Sequence, residues 1–178
     1  MSARFDRIRI DEFVALAART LDGEWLLIGG GAAAVWFAPS RTTEDIDIVG
    51  LRGTQDDRFA LMELAATAGI PIEAVNSAAD FFVRRIPDWR DELVVLTAGR
   101  ATIYRPTATL FLLLKIGRLS ATDLDDCMKL IVHVASTGEP LDRVRVGSTL
   151  AALAPTDDVA LAARRVELAN ALELAHDA

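Results

Sequence analysis

Apolar residues in this chain recur at two different periods. Phe13, Leu16, Ala17 and Leu21 follow helical spacing, which predicts a helix over residues 12–21, capped by Asp11 and closed by Gly23. Trp25-Leu26-Leu27-Ile28 is short, wholly apolar and stops at three glycines, the pattern of a buried first strand entering a tight turn. Residues 32–37 then read as a short helix broken by Pro39, and residues 44–49 alternate acids with isoleucine or valine at the two-residue period of a strand. On that strand Asp45 and Asp47 share one face. A helix is expected over 56–68, with Gly69 in the C-terminal capping position and Pro71 preventing continuation, followed by a strand over 72–75.

Leu93 to Thr97 and Ala101 to Tyr104 flank Ala98-Gly99-Arg100, which predicts a hairpin and hence a mixed sheet. Pro106 marks the start of an apolar helix through Leu119, and Ser120 with Asp123 resembles a capping arrangement for another helix to about Val134. From Pro140 onward the pattern is mostly helical, and no repeat, low-complexity tract or linker interrupts the chain. The expected class is α/β (α+β), a mixed central sheet flanked by helices. A core over residues 1–105 is expected to carry a helical C-terminal region over 106–178 packed on it.

Composition sharpens this outline. With 52% hydrophobic and 25% charged residues in 178, the chain suits a compact fold with a real apolar interior. The apolar run at 110–114 is interrupted by Lys115 and Arg118, so no membrane span is expected. Residues 1–13 mix charges of both signs and lack the apolar stretch of a secretory signal, which makes a cytoplasmic location the expectation. The single cysteine, Cys127, cannot form an internal disulfide, and with only His133 and His176 there is no Cys/His cluster for zinc. A net charge of −7 disfavours a broad nucleic-acid surface and leaves room only for a local contact, such as one with an RNA end.

The candidate chemistry lies in residues 26–48. Two carboxylates at alternate strand positions point the same way, close enough to hold a divalent cation through hard oxygen ligands, and Asp45 and Asp47 meet that condition. Gly29-Gly30-Gly31 lets backbone approach a ligand closely and turns the open N–H groups of a short helix toward an anion. Together they point to a metal-bound polyphosphate, with Mg²⁺ or Mn²⁺ as cofactor and a nucleoside triphosphate as ligand. Glu73, on the expected strand over 72–75, is the candidate third carboxylate, as general base or second metal ligand.

These residues resemble the signature of the DNA polymerase beta-like nucleotidyltransferase superfamily: hydrophobic-Gly-Gly or Gly-Ser, a spacer, then Asp-hydrophobic-Asp-hydrophobic. Gly30-Gly31 and Asp45-Ile46-Asp47-Ile48 match it, with Gly29 standing where a larger apolar residue is usual. The chain is more similar still to small bacterial nucleotidyltransferase-like proteins related to the toxin of abortive-infection systems. Their motif reads Gly-Gly-x-Ala, then Arg-x-Thr-x-Asp-hydrophobic-Asp, and Arg41, Thr43, Asp45 and Asp47 match it. A later helical motif of that family, a lysine followed by two acids, is matched by Lys115, Asp123 and Asp126, with Ser120 in place of an intervening arginine and Arg118 nearby. Asn76 and Phe81 are similar to a connecting Leu-Asn and aromatic pattern. The resemblance covers most of residues 25–130. It implies a nucleotidyltransferase fold, Asp45 and Asp47 as catalytic metal ligands, and Gly30, Gly31, Arg41, Thr43, Lys115 and Asp126 as nucleotide-binding residues. The implied reaction moves a nucleotidyl group from a nucleoside triphosphate to a hydroxyl acceptor, an RNA end or a protein hydroxyl.

Each feature also has a purely structural explanation. A Gly-Gly pair makes tight turns, Asp-x-Asp occurs on solvated strand faces, and Arg41 can pair with Glu44. Lys115 can snorkel from an apolar helix, Asp123 can complete the Ser120 cap, Asp126 can anchor Lys115, and Glu73 can face solvent. Trp25, Trp36 and Trp89 are expected to pack rather than stack on bases. The joint occurrence favours a Mg²⁺-dependent nucleotidyltransferase. The alternative is a catalytically inactive binding or regulatory module, as one half of a toxin–antitoxin pair, and a missing third carboxylate would favour it. A third reading is an oligomeric scaffold built on the C-terminal helices, with a partner protein or a second copy as its partner.

Overall fold

In the computed structural model, residues 4–52, 55–77 and 80–174 are described. The chain forms two compact units, Met1–Pro106 and Thr107–Ala178.

In the first unit, Asp6 rather than Asp11 opens helix α1 (Arg7–Thr20), its carboxylate accepting from the Arg9 N–H at 2.9 Å. The helix starts a turn early because Ile10 is fully buried and extends the stripe of Phe13, Val14 and Ala17 toward the N-terminus. Asp11 sits on the solvent side, 3.5 Å from Arg7. Strand β1 (Gly23–Ile28) is buried from Trp25 onward, as its unbroken apolar run requires. It passes directly into helix α2 (Gly29–Trp36), whose first turn is the three glycines themselves. Gly29 has φ of +65°, a left-handed conformation that only glycine adopts without strain.

Strand β2 is Ile46–Gly50, two residues shorter at its start than residues 44–49 predict. Residue 43 is instead tied to residue 5 by a pair of backbone hydrogen bonds, Phe5 N–H to Thr43 O at 2.8 Å and Thr43 N–H to Phe5 O at 3.0 Å. The β1 ladder therefore begins only at Asp47, opposite Ile28. Helix α3 (Gln55–Ala68) ends at Gly69, φ +63°, as the cap pattern predicts. The strand expected over 72–75 is corrected: Ile72–Ala74 is a single 3-10 turn, closed by Ala74 N–H to Pro71 O at 2.9 Å, and strand β3 is only Val75–Asn76. Proline fixes the φ that starts this turn, and the apolar alternation after it does not outweigh that. Helix α4 (Asp80–Val83) and a 3-10 turn (Trp89–Glu92) lead to the hairpin of β4 (Leu93–Ala98) and β5 (Ala101–Pro106).

The five strands form one mixed sheet in the order β3-β2-β1-β5-β4, with β1–β2 and β4–β5 antiparallel and β1–β5 and β2–β3 parallel. Leu27 packs against α2 at Gly31, and Ile48, its register partner, shares that face. Ile46 and Ile48 are fully buried, so Asp47 between them projects from the opposite face. This is a mixed α/β architecture with a helix-flanked sheet.

The second unit contains α5 (Ala108–Ile116), α6 (Ala121–Thr137), α7 (Arg143–Ala151) and α8 (Val159–Leu174). Thr107 caps α5, its hydroxyl accepting from Leu110 N–H at 3.2 Å. The helix ends at Ile116 rather than Leu119, whose φ of +40° breaks the helical path. Ser120 and Asp123 form the expected reciprocal cap of α6, and Leu110, Leu112, Leu130, Val146 and Leu168 are buried. Among the described residues no helix is long and apolar enough to cross a membrane.

Candidate functional site

The junction of β1, α2 and β2 brings most of the candidate residues together. Because Ile28 pairs with Asp47, the Asp47 carboxylate lies directly over the next residue, Gly29. A Cβ built on Gly29 would collide with Asp47 Oδ2, so any other residue there would have to displace that carboxylate. One residue on, a Cβ at Gly30 would lie 2.8 Å from Thr43 Oγ1 and 3.2 Å from Arg41 Nη2. The residues expected to act with the glycines, Arg41, Thr43 and Asp47, thus touch them. Gly30 and Gly31 are buried and Gly29 half-buried; Gly31 faces Leu27 and Ile10, which makes its small size a requirement of α2 packing on β1.

Asp47 is half-buried and Asp45, one residue before the strand, is exposed. Thr43 holds the approach to the strand, its hydroxyl donating to Asp45 O at 3.0 Å. Arg41 is anchored locally, donating through Nη1 to Thr42 O, while Glu44 lies 3.8 Å from Arg4. The Ile28 side chain makes no cap to α2, which leaves that task to whatever lies over the first turn. The Asp47 carboxylate, the Arg41 guanidinium, the Thr43 hydroxyl and a helix N-terminus therefore converge, with Asp45 exposed on the segment that leads into β2. Among the described residues no group of three His, Cys, Asp or Glu side chains is placed to hold a metal ion. The donor set of Asp45 and Asp47 fits Mg²⁺ shared with a polyphosphate, since Mg²⁺ takes one or two carboxylates and fills its octahedron with phosphate oxygens and water.

Glu73 is exposed and stands on the 3-10 turn that precedes β3 rather than on a strand. The residue that pairs with Asp47 from β3 is Asn76. No local pattern could have found that role, because register is set by strands distant in sequence.

In the second unit, Lys115, Asp123 and Asp126 form a buried cluster. Lys115 Nζ donates to Asp123 Oδ1 at 2.7 Å and Asp126 Oδ2 at 3.2 Å, which occupies two of its three donors. Arg118 grips Asp123 with two hydrogen bonds of 2.8 and 2.9 Å, and the Ser120 hydroxyl adds another at 2.8 Å. Burial opposes charge on Asp123, yet the bonds from Arg118 and Lys115 outweigh it and hold the carboxyl well below the usual carboxylate range. Lys115 does not snorkel to solvent; its charge is neutralised inside the unit. Cys127 is buried in the same helix, and burial pushes its thiol up to about 12, with Lys115 opposing the shift.

Two cavities of the first unit lie beside other residues. One of about 420 Å³ opens at the N-terminal end of β1, lined by Asp22, Trp25, Arg52, Asp57, Glu63 and Arg100, none of them a predicted site residue. A second of about 320 Å³ is lined by Arg58, Leu61, Met62, Ile72, Val75 and Asn76, and so reaches the strand beside Asp47. No family model, curated protein or solved structure matches the chain.

Proposed function

We propose that the β1–α2–β2 junction binds a Mg²⁺-complexed nucleoside triphosphate and that the chain is a nucleotidyltransferase acting on a hydroxyl acceptor. What supports this most is the position of Asp47, its carboxylate set against Gly29 at the start of α2 while Arg41 and Thr43 lie over Gly30. In this reading the α2 N-terminus and the Arg41 guanidinium receive the phosphate tail, whose charge suits both. Thr43 steadies the segment that carries Asp45, and Asp45 with Asp47 would hold Mg²⁺. When bound, Mg²⁺ would offset charge building on the phosphate oxygens. The acceptor oxygen attacks the α-phosphorus, the bond from that phosphorus to the bridging oxygen breaks, pyrophosphate leaves and the acceptor proton passes to solvent or carboxylate.

A second reading is favoured by one observation, that asparagine, Asn76, is the β3 residue in register with Asp47, where a third acid would serve catalysis. It makes the chain a nucleotide-binding or regulatory module, as one half of a toxin–antitoxin pair. The two are separated by incubating the chain with the four α-³²P-labelled nucleoside triphosphates, Mg²⁺ and total bacterial RNA and protein. Label on an acceptor with release of pyrophosphate, lost in Asp45→Ala and Asp47→Ala, supports the transferase. Nucleotide binding without label supports the module, and absence of both refutes each.

A further inference from the structure

Resting on the nucleotide-site reading above, we infer that Asn76 keeps this site a one-cation site and that an acid at the same position would make it a two-cation site. The sheet register limits which residues stand beside Asp47. Its lateral neighbours are Ile28 on β1 and Asn76 on β3. Along its own strand, the alternate positions are Asp45 on one side and buried Val49 on the other. Asp45 and Asp47 are therefore the acids that this part of the sheet contributes, in agreement with the lack of any three-ligand cluster among the described residues.

A pair of cations about 3.5–4 Å apart needs carboxylates on more than one side of the pair. Neighbouring strands lie about 4.8 Å apart, so residue 76 is the one whose side chain can share a second cation with Asp47. Asparagine has the shape of aspartate but offers one neutral oxygen, and its NH₂ group presents protons to a cation. Glu73 does not replace it, since it stands on the 3-10 turn that precedes β3, outside the ladder. Asn76 is half-buried and lies at the border of the cavity of about 320 Å³ that Leu61, Met62 and Val75 line. In chemical terms, a one-cation site grips the phosphate tail and leaves the acceptor hydroxyl without a cation of its own to lower its pKa.

The test counts Mn²⁺ by electron paramagnetic resonance on the full chain, in the presence of the α,β-methylene analogues of the four ribonucleoside triphosphates. Wild type and Asn76→Ala should show one uncoupled, nucleotide-dependent Mn²⁺ per chain. Asn76→Asp should show two with a spin-coupled signal, and Asn76→Glu supplies the acid on a longer arm should the aspartate variant not fold. A coupled pair in wild type, or folded acid variants that stay at one Mn²⁺, would overturn the role of Asn76 alone. No nucleotide-dependent Mn²⁺ in wild type would overturn the nucleotide site itself, and this inference with it.

Discussion

Replacing Gly29 by alanine places two separate loads on one position. The backbone there has φ of +65°, and a residue with a Cβ pays about 1–2 kcal/mol to adopt it. The new methyl also collides with Asp47 Oδ2, and pushing that carboxylate off its rotamer costs about 0.5–1.5 kcal/mol more. Gly29→Ala should therefore lower the unfolding free energy by about 1.5–3.5 kcal/mol. Only the second load depends on Asp47. In an Asp47→Ala background the cost should fall to the backbone part alone, a coupling of about 0.5–1.5 kcal/mol. Urea unfolding of the wild type, both single variants and the double variant measures this. With a slope of about 2 kcal/mol/M, the coupling moves the midpoint by about 0.25–0.75 M. Strictly additive midpoints would refute the contact between Asp47 and the start of α2, and the site with it.

Three further outcomes follow from the second unit. Lys115→Met leaves two buried carboxylates without their shared cation and should cost about 3–5 kcal/mol, read as a fall in thermal midpoint; an unchanged midpoint would contradict the buried pairing. The carboxyl of Asp123 is lowered in the folded chain, so its stabilisation is full above the unfolded value of about 3.9 and is lost as pH falls toward the folded one. The urea midpoint should drop on acidification from about pH 5, and Asp123→Asn should flatten that part of the profile. Cys127, its thiol pushed up to about 12, should resist iodoacetamide in the native chain and react at the rate of unfolding, as mass spectrometry of labelled protein will show; rapid native labelling would place it elsewhere.

Local chemistry makes much of the fold legible in the sequence. The β1 run ends where its glycines begin, α3 stops at Gly69, and the β4–β5 hairpin turns at Gly99-Arg100, because each boundary is set by residues adjacent in sequence. The structure departs from a local signal where that signal has a nearby competitor. Asp6 and Asp11 both qualify as caps, and only the burial of Ile10 decides between them. Ile72 to Val75 alternates like a strand, yet Pro71 commits its first residues to a turn. In the candidate site, spacing alone points to the glycines and Asp47, while Arg41 and Thr43 enter through the family resemblance; a strand, a helix turn and a returning strand bring them together. Asn76 was not foreseeable, because its pairing with Asp47 joins segments about thirty residues apart in sequence, and non-local register leaves no mark in either one. Lys115 shows the same limit on a shorter scale: an apolar helix with one lysine fits snorkelling or burial, and the turn that delivers Asp123 and Asp126 decides for burial.

Asp47 and the glycine turn beside it are proposed to receive a metal-bound triphosphate. Calorimetric titration of the chain with α,β-methylene nucleoside triphosphates, with and without Mg²⁺, tests it most directly. Binding that requires Mg²⁺ in wild type and disappears in Asp47→Ala, with folding intact by circular dichroism, is the predicted result. Equal heats in wild type and variant, or none in either, would contradict it.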